Sequence, residues 1–334
     1  MPRKAETITE RRGDAADGQD RMAGQGVARQ APRCRPGVRG RRGPGVAVRV
    51  SRPMGRSARM RALLALPAVA AAALGGSALL ASCAADDRSP VRTQAAAGSA
   101  AGSVEQLGVR VLDVLPHDPK AYTQGLEMAG RILYEGTGRA GESSIRLGPP
   151  GRPLTVRADL PAPLFGEGVT VLGRTLWQLT WRDHIAIERD AGTLAELRRL
   201  PYPTEGWGVC HQPGRGRLVT SDGSARLTFR DPRTLAPTGE LLVTLQGRPV
   251  PRLNELECVG DRVYANVWPS DRIVRVDTGT GAVTAQIDAS GLLTSKEQQH
   301  AEVLNGIAAL PGSDEFLLTG KWWPKMFRVV FVAR

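Results

Sequence analysis

The sequence predicts an all-β fold, a five-bladed β-propeller closed by its N-terminal strand and preceded by a signal- or lipoprotein-like leader. Three observations carry the prediction. Short apolar runs alternate with Gly, Pro, Asp and Asn turns from residue 107 onward, with no long amphipathic helix. One layout recurs at Gly125, Gly168, Gly208, Leu256 and Gly306, each start roughly 40–50 residues after the last, a spacing that with three or four strands per repeat describes propeller blades. The early repeats carry a fourth run, as at 154–157 and 241–244, whereas the last ends without one; the run 109–114 supplies it and closes the ring, which removes two open sheet edges. A twisted β-sandwich would explain the strands but not their spacing.

The elements before the repeats follow from composition. Residues 1–53 are rich in Arg, Gly and Pro without apolar periodicity, so they bury no core. Nearly all of the chain's net charge of +12 lies in residues 1–83; the body is close to neutral, which removes the electrostatic case for a nucleic-acid partner. Residues 54–83 place Met54, Met60 and Arg61 before an apolar run and then small residues, the grammar of a secretory signal with Met54 or Met60 as the start. The run ends in Leu80-Ala81-Ser82-Cys83, which resembles the lipobox of bacterial lipoproteins. That resemblance implies a lipid on Cys83, export, and anchoring on the outer face of the cell membrane or in the periplasm. An uncleaved membrane anchor and an ordinary signal peptide are the alternatives. Residues 84–107 read as a low-complexity tether and 108–334 as the propeller domain. Cys210 and Cys258 occupy equivalent places in successive repeats, which predicts two separate core thiols, with a disulfide as the alternative.

Candidate site residues sit where the repeats begin. Loops that lead into innermost propeller strands gather at one end of the channel. Here they read Tyr122-Thr123-Gln124-Gly125, Phe165-Gly166-Glu167-Gly168, Glu205-Gly206-Trp207-Gly208, Arg252-Leu253-Asn254-Glu255 and Leu304-Asn305-Gly306. Glu167 stands between two glycines, which permit unusual backbone and close approach. Lys321 lies past a later strand, within reach of the same mouth. The six tryptophans include Trp177, Trp207, Trp268 and Trp322, taken here as substrate-binding; blade packing is the alternative for any one of them. His117, His184, His211 and His300 are scattered without metal-ligand spacing. No phosphate loop or nucleophile elbow is present.

These motifs resemble the plant-type glutaminyl-peptide cyclotransferases, which also occur in bacteria. The resemblance covers residues 109 to about 330. It rests on Pro116-His117-Asp118-Pro119, Tyr122-Thr123-Gln124-Gly125-Leu126, Phe165-Gly166-Glu167-Gly168, Gly206-Trp207-Gly208, Arg252-Leu253-Asn254-Glu255-Leu256-Glu257, Leu304-Asn305-Gly306-Ile307-Ala308 and Thr319-Gly320-Lys321-Trp322-Trp323-Pro324. It implies a five-bladed propeller that turns an N-terminal Gln of peptides or proteins into pyroglutamate with release of ammonia. It implies Glu167 as acid/base, and Lys321, Asn254 and Gln124 as its catalytic partners. Glu135 and Asn305 join the tryptophans as expected substrate contacts. The resemblance implies catalysis without a cofactor or metal, a structural Ca²⁺ remaining open, and a monomer is expected. The rival readings are a lipid-anchored propeller that only binds, and a metal-dependent propeller hydrolase or lactonase.

Overall fold

A computed structural model describes residues 103–334; the leader, Cys83 and the tether up to residue 102 lie outside the described residues. β1 (Glu105–Pro116) leads into a meander of β2 (Thr123–Ala129), β3 (Ile132–Thr137), β4 (Ser144–Gly148) and β5 (Val156–Asp159). The next meander is β6 (Gly166–Leu172), β7 (Thr175–Thr180), β8 (Ile185–Asp190) and β9 (Glu196–Pro201), and another is β10 (Val209–Gln212), β11 (Arg217–Ser221), β12 (Arg226–Arg230) and β13 (Pro237–Leu242). After the small hairpin of β14 (Thr244–Leu245) and β15 (Arg248–Pro249) come β16 (Leu253–Val259), β17 (Arg262–Val267), β18 (Arg272–Asp277) and β19 (Val283–Asp288). The one-turn helix α1 (Ser295–Gln298) precedes β20 (Leu304–Ala309), β21 (Glu315–Gly320) and β22 (Lys325–Ala333).

β1 runs antiparallel to β22 and parallel to β19, so the last two meanders join into one eight-stranded sheet. The leading strands β2, β6, β10, β16 and β20 touch in a closed circuit. The architecture is all-β and propeller-like. Its core lies between meanders: Trp177, Leu179, Tyr202, Val209, Leu218 and Leu235 fill one boundary, and Leu126, Met128, Leu133, Leu317 and Met326 another. Because both faces of a sheet are covered, inner strands such as β7 are buried along most of their length, whereas the outer strand β9 is largely exposed.

The glycines that lead the repeats have a shared cause. A Cβ on Gly168 would stand 2.7 Å from the Trp207 carbonyl oxygen, and one on Gly208 2.2 Å from that of Asn254. Adjacent leading strands approach too closely there for any side chain. A second repeat lies in the turns between third and fourth strands. Asp190, Asp231 and Asp277 each accept a bond from the hydroxyl of a Thr three residues on, at 2.8, 2.9 and 2.8 Å, a side-chain-closed turn.

The expectation of two separate thiols is corrected: Cys210 and Cys258 form a disulfide, with their Cα atoms 5.4 Å apart. Equivalent positions on β10 and β16 face each other across a boundary rather than being shut into separate cores. Joint Cys210→Ala and Cys258→Ala replacement is expected to lower stability by about 4 kcal/mol, the loop-entropy value for a bridge spanning 48 residues. Denaturant midpoints compared with and without reductant check this, and an unchanged midpoint would mean that the sulfurs are not joined.

Candidate active site

A backbone rule builds the mouth. In each meander the turn between second and third strands is tied to the lead-in loop: Gly138 N–H donates to Tyr122 O, Trp181 to Phe165, Trp268 to Arg252 and Lys321 to Val303, while Trp207 donates to Ser221. Two loops per meander therefore furnish side chains at the same end. The sequence points to the lead-in loops and, of the other set, to Lys321, Trp268 and Trp322.

The structure brings Glu167, Gln124 and Asn305 into one hydrogen-bonded chain. Gln124 Nε2 donates to Glu167 Oε1 at 2.9 Å, and Asn305 Nδ2 donates to Gln124 Oε1 at 3.2 Å and to Thr123 O at 3.1 Å. Lys321 places Nζ 4.7 Å from the centre of the Tyr122 ring, a cation–π contact in a desolvated setting. Glu167 and Lys321 are 3% and 1% exposed, so both charges lack the solvation of a surface residue. Burial pushes the Glu167 carboxyl well above the usual range; the Lys321 ammonium opposes that rise and Glu205 adds to it. Burial lowers Lys321, with Glu167 and Glu302 acting the other way. An acid raised and an ammonium lowered toward one another are suited to proton transfer.

Asn254, on β16, accepts from Ser221 Oγ at 2.6 Å through its backbone carbonyl. Its Oδ1 is buried without a partner, as are Asn305 Oδ1, Gln178 Nε2 and Asn266 Nδ2. Buried amide atoms without partners cost free energy unless something binds them. They suit a ligand that brings amide donors and acceptors of its own.

Aromatic rings form the rim. Trp322 meets Tyr122 edge-on at 5.0 Å, Tyr122 meets Phe165 at 6.3 Å, and Phe165 meets Trp181 at 5.5 Å. Trp181 and Trp207 both donate to Glu205 Oε2 at 3.0 Å, and Trp207 meets Trp268 at 6.1 Å. Tyr122, Phe165 and Glu205 belong to the lead-in loops without a role assigned from sequence, and Trp181 and Glu302 are added by the structure; the Tyr122 hydroxyl bonds to Glu302. The repeated pairing of the two loop sets is the signal that finds Trp181.

Two expected substrate contacts are corrected. Trp177 lies in mid-strand, fully buried between meanders, with Nε1 donating to Pro232 O at 2.9 Å. Its role is packing. Glu135 is committed to internal partners: Thr123 Oγ1 at 2.7 Å, His117 Nε2 at 2.9 Å and Arg146 Nε at 2.9 Å. Burial opposes its charge, yet His117 and Arg146 hold its carboxyl down at about 2.

Farther along the same leading strands, Glu255 and Glu257 are buried and Glu127 is half-buried. Glu255 accepts the N–H groups of Ile307 and Leu126 at 2.8 and 3.3 Å, and Glu127 accepts from Thr170 Oγ1 at 3.0 Å. Burial raises Glu127 to about 8 and, reinforced by Glu127 and Glu255, raises Glu257 well above the usual range. Groups raised in the folded state favour folding below their unfolded values, and that contribution is lost as pH climbs through the folded value. Stability is therefore expected to fall as pH rises through about 8. Glu127→Gln should flatten that fall by an amount on the order of a few kcal/mol; parallel thermal melts from pH 5 to 9 test it, and an equal fall in both proteins would remove Glu127 as the cause.

Among the described residues no group of three His, Cys, Asp or Glu side chains is arranged to hold a metal ion, and no helix is long and apolar enough to cross a membrane.

A buried carboxylate and a buried ammonium beside an aromatic rim, on an all-β body, define the class of propeller-like all-β proteins. Comparison narrows it. A family model described as glutamine cyclotransferase matches residues 79–331, and the chain belongs to that family. It is 35% identical over 243 residues to the glutaminyl-peptide cyclotransferase of Arabidopsis thaliana, covering 70% of this chain and 75% of the relative. The crystal structure of Myxococcus xanthus glutaminyl cyclase matches with 34% identity and a TM-score of 0.62, over 70% of this chain and all of that one.

Proposed function

We propose that this protein converts the N-terminal glutamine of peptides or proteins to pyroglutamate with release of ammonia, using Glu167 as the acid/base. The observation that carries the reading is the buried Glu167, bonded to Gln124 and facing the charge of Lys321. The reaction is an intramolecular aminoacyl transfer. The substrate's α-nitrogen attacks the carbon of its own side-chain amide, so nucleophile and electrophile arrive already joined. A free α-amine has a pKa of roughly 7.7–8.0, so much of it must lose a proton first. The Glu167 carboxylate accepts the proton that the attacking nitrogen sheds. The tetrahedral oxyanion meets Lys321 and the Asn254 amide, donors of the kind worth roughly 10²–10³ in rate each. Glu167 then returns its proton to the departing nitrogen, the carbon–nitrogen bond breaks, and ammonia leaves the closed lactam. Gln124 and Asn305 hold the substrate amide, and Trp207, Trp268 and Trp322 wall it from water.

The same reading takes the four-stranded meanders as five blades, supported by the closed circuit of leading strands and by the outer position of β1. It also takes Cys83 as the lipid-bearing residue of an exported protein, supported by the lipobox-like sequence.

The deciding experiment is ammonia release from a Gln-initiated dipeptide, with pyroglutamate followed by mass, in the presence and absence of a chelator. Turnover that survives the chelator supports this reading. Turnover that the chelator abolishes points to the metal-dependent class, and none from a folded protein points to a binding propeller.

A further inference from the structure

His117 lies outside the pocket, yet it holds the turn that carries Lys321. Its backbone N–H donates to Pro324 O at 3.0 Å. Its Nδ1 stands 2.7 Å from Trp323 O and 3.2 Å from Thr319 Oγ1, and its Nε2 stands 2.9 Å from Glu135 Oε1. Thr319 Oγ1 donates onward to Lys325 O at 3.0 Å, which leaves it a lone pair for Nδ1. A backbone carbonyl only accepts. Glu135 only accepts too, because Thr123 and Arg146 already donate to both of its oxygens. Both ring nitrogens therefore face acceptors, and either neutral tautomer would set a lone pair against an oxygen.

We propose that His117 stands as an imidazolium that clamps the 319–325 turn and so positions Lys321 over the pocket. This rests on the proposed role of Lys321 in the cyclisation. The clamp explains how one turn meets two demands. Trp322 adopts φ +60°, a left-handed conformation disfavoured for a bulky residue, and Lys321 must be held in a buried place where Glu167 and Glu302 act on its charge. The other side of the turn is held by Val303 O and Glu302 N–H on the Lys321 backbone, and by Ala121 O on Trp322 N–H. His117 completes the enclosure from β1's end. The charged groups facing it are Glu135 of β3 and, behind that, Arg146 of β4, which pairs with Asp118 at 2.7 Å. Lys325 of β22 directs its ammonium away, to Glu297. A cleft of about 450 Å³ lined by His117, Asp118, Glu135 and Arg146 adjoins the network and connects it to protons in solvent.

Three readouts on the full chain test the clamp. In histidine labelled with ¹⁵N, and with His117→Gln assigning one of the four signals, both His117 nitrogens should be protonated at pH 7 and titrate above the ordinary range. A neutral tautomer at pH 7 overturns the proposal. Reductive methylation mapped by peptide mass should modify Lys321 at least tenfold faster in His117→Gln than in wild type. On Gln-initiated peptides the same variant should lose at least tenfold in kcat with KM changed less than threefold. Unchanged Lys321 protection and unchanged kcat overturn the proposal as well. If His117→Gln does not fold, Thr319→Val removes one bond of the clamp and should show the same pattern at smaller amplitude; wild-type values in that variant also count against it. If the wild type releases no ammonia, the activity reading fails, while the ring protonation and Lys321 labelling still decide whether the clamp exists.

Discussion

Glu167→Gln is expected to reduce kcat by roughly 10²–10⁴-fold, the range for loss of a positioned acid/base, with little change in KM. The substitution preserves shape and keeps an oxygen to accept the Gln124 amide, which stands 2.9 Å from Oε1. What it removes is the ability to take a proton from the attacking nitrogen and deliver it to the departing one. Stability should not fall with activity. Burial disfavours the charged carboxylate, so replacing it removes a desolvation cost and at the same time takes a counter-charge from Lys321. These effects oppose each other, and the melting temperature should stay within a few degrees of wild type. The pH profile separates chemistry from fold. Because Glu167 is raised above the usual carboxylate range, the acid limb of wild-type kcat/KM should lie higher than an ordinary Glu would place it, and should vanish in the variant. A variant with wild-type kcat would remove this carboxylate from the reaction.

Much of this was legible in the sequence because a propeller-like body repeats its physics. Each leading strand must pass its neighbour closely, so glycine recurs at 125, 168 and 208, and the residue just before it projects toward the mouth. That is how Gln124, Glu167 and Trp207 could be read together. Trp177 was assigned to the mouth although it lies in mid-strand, opposite Thr170. Position within the run, rather than residue type, separates a packing indole from a rim indole, since rim residues lie past strand ends as Trp181 and Trp268 do. The cysteines were read by the right equivalence and the wrong inference: equivalent positions in adjacent meanders are neighbours. His117 is less legible, because its partners in the turn after β21 are remote in sequence: it touches Trp323, 206 residues away.

Lys321→Met is expected to reduce kcat by roughly 10²–10³, the scale for one donor to a developing oxyanion, and to shift the acid limb of the pH profile upward. Methionine fills nearly the same volume, so the buried site should stay packed where alanine would leave a cavity. The direction of the shift follows from the electrostatics. The Lys321 ammonium favours the ionised form of Glu167 and partly offsets the rise that burial imposes. Without it the carboxyl is raised further, and a carboxylate competent as a base appears only at higher pH. Loss of the oxyanion donor alone would lower kcat at every pH without moving the limb. A pH–rate series on wild type and Lys321→Met distinguishes the cases: a lower plateau with an upward-shifted limb shows both effects, and a lower plateau with an unmoved limb confines Lys321 to the oxyanion. Wild-type rates across the series would exclude it from the mechanism, and the His117 clamp would then position a residue with no part in the chemistry.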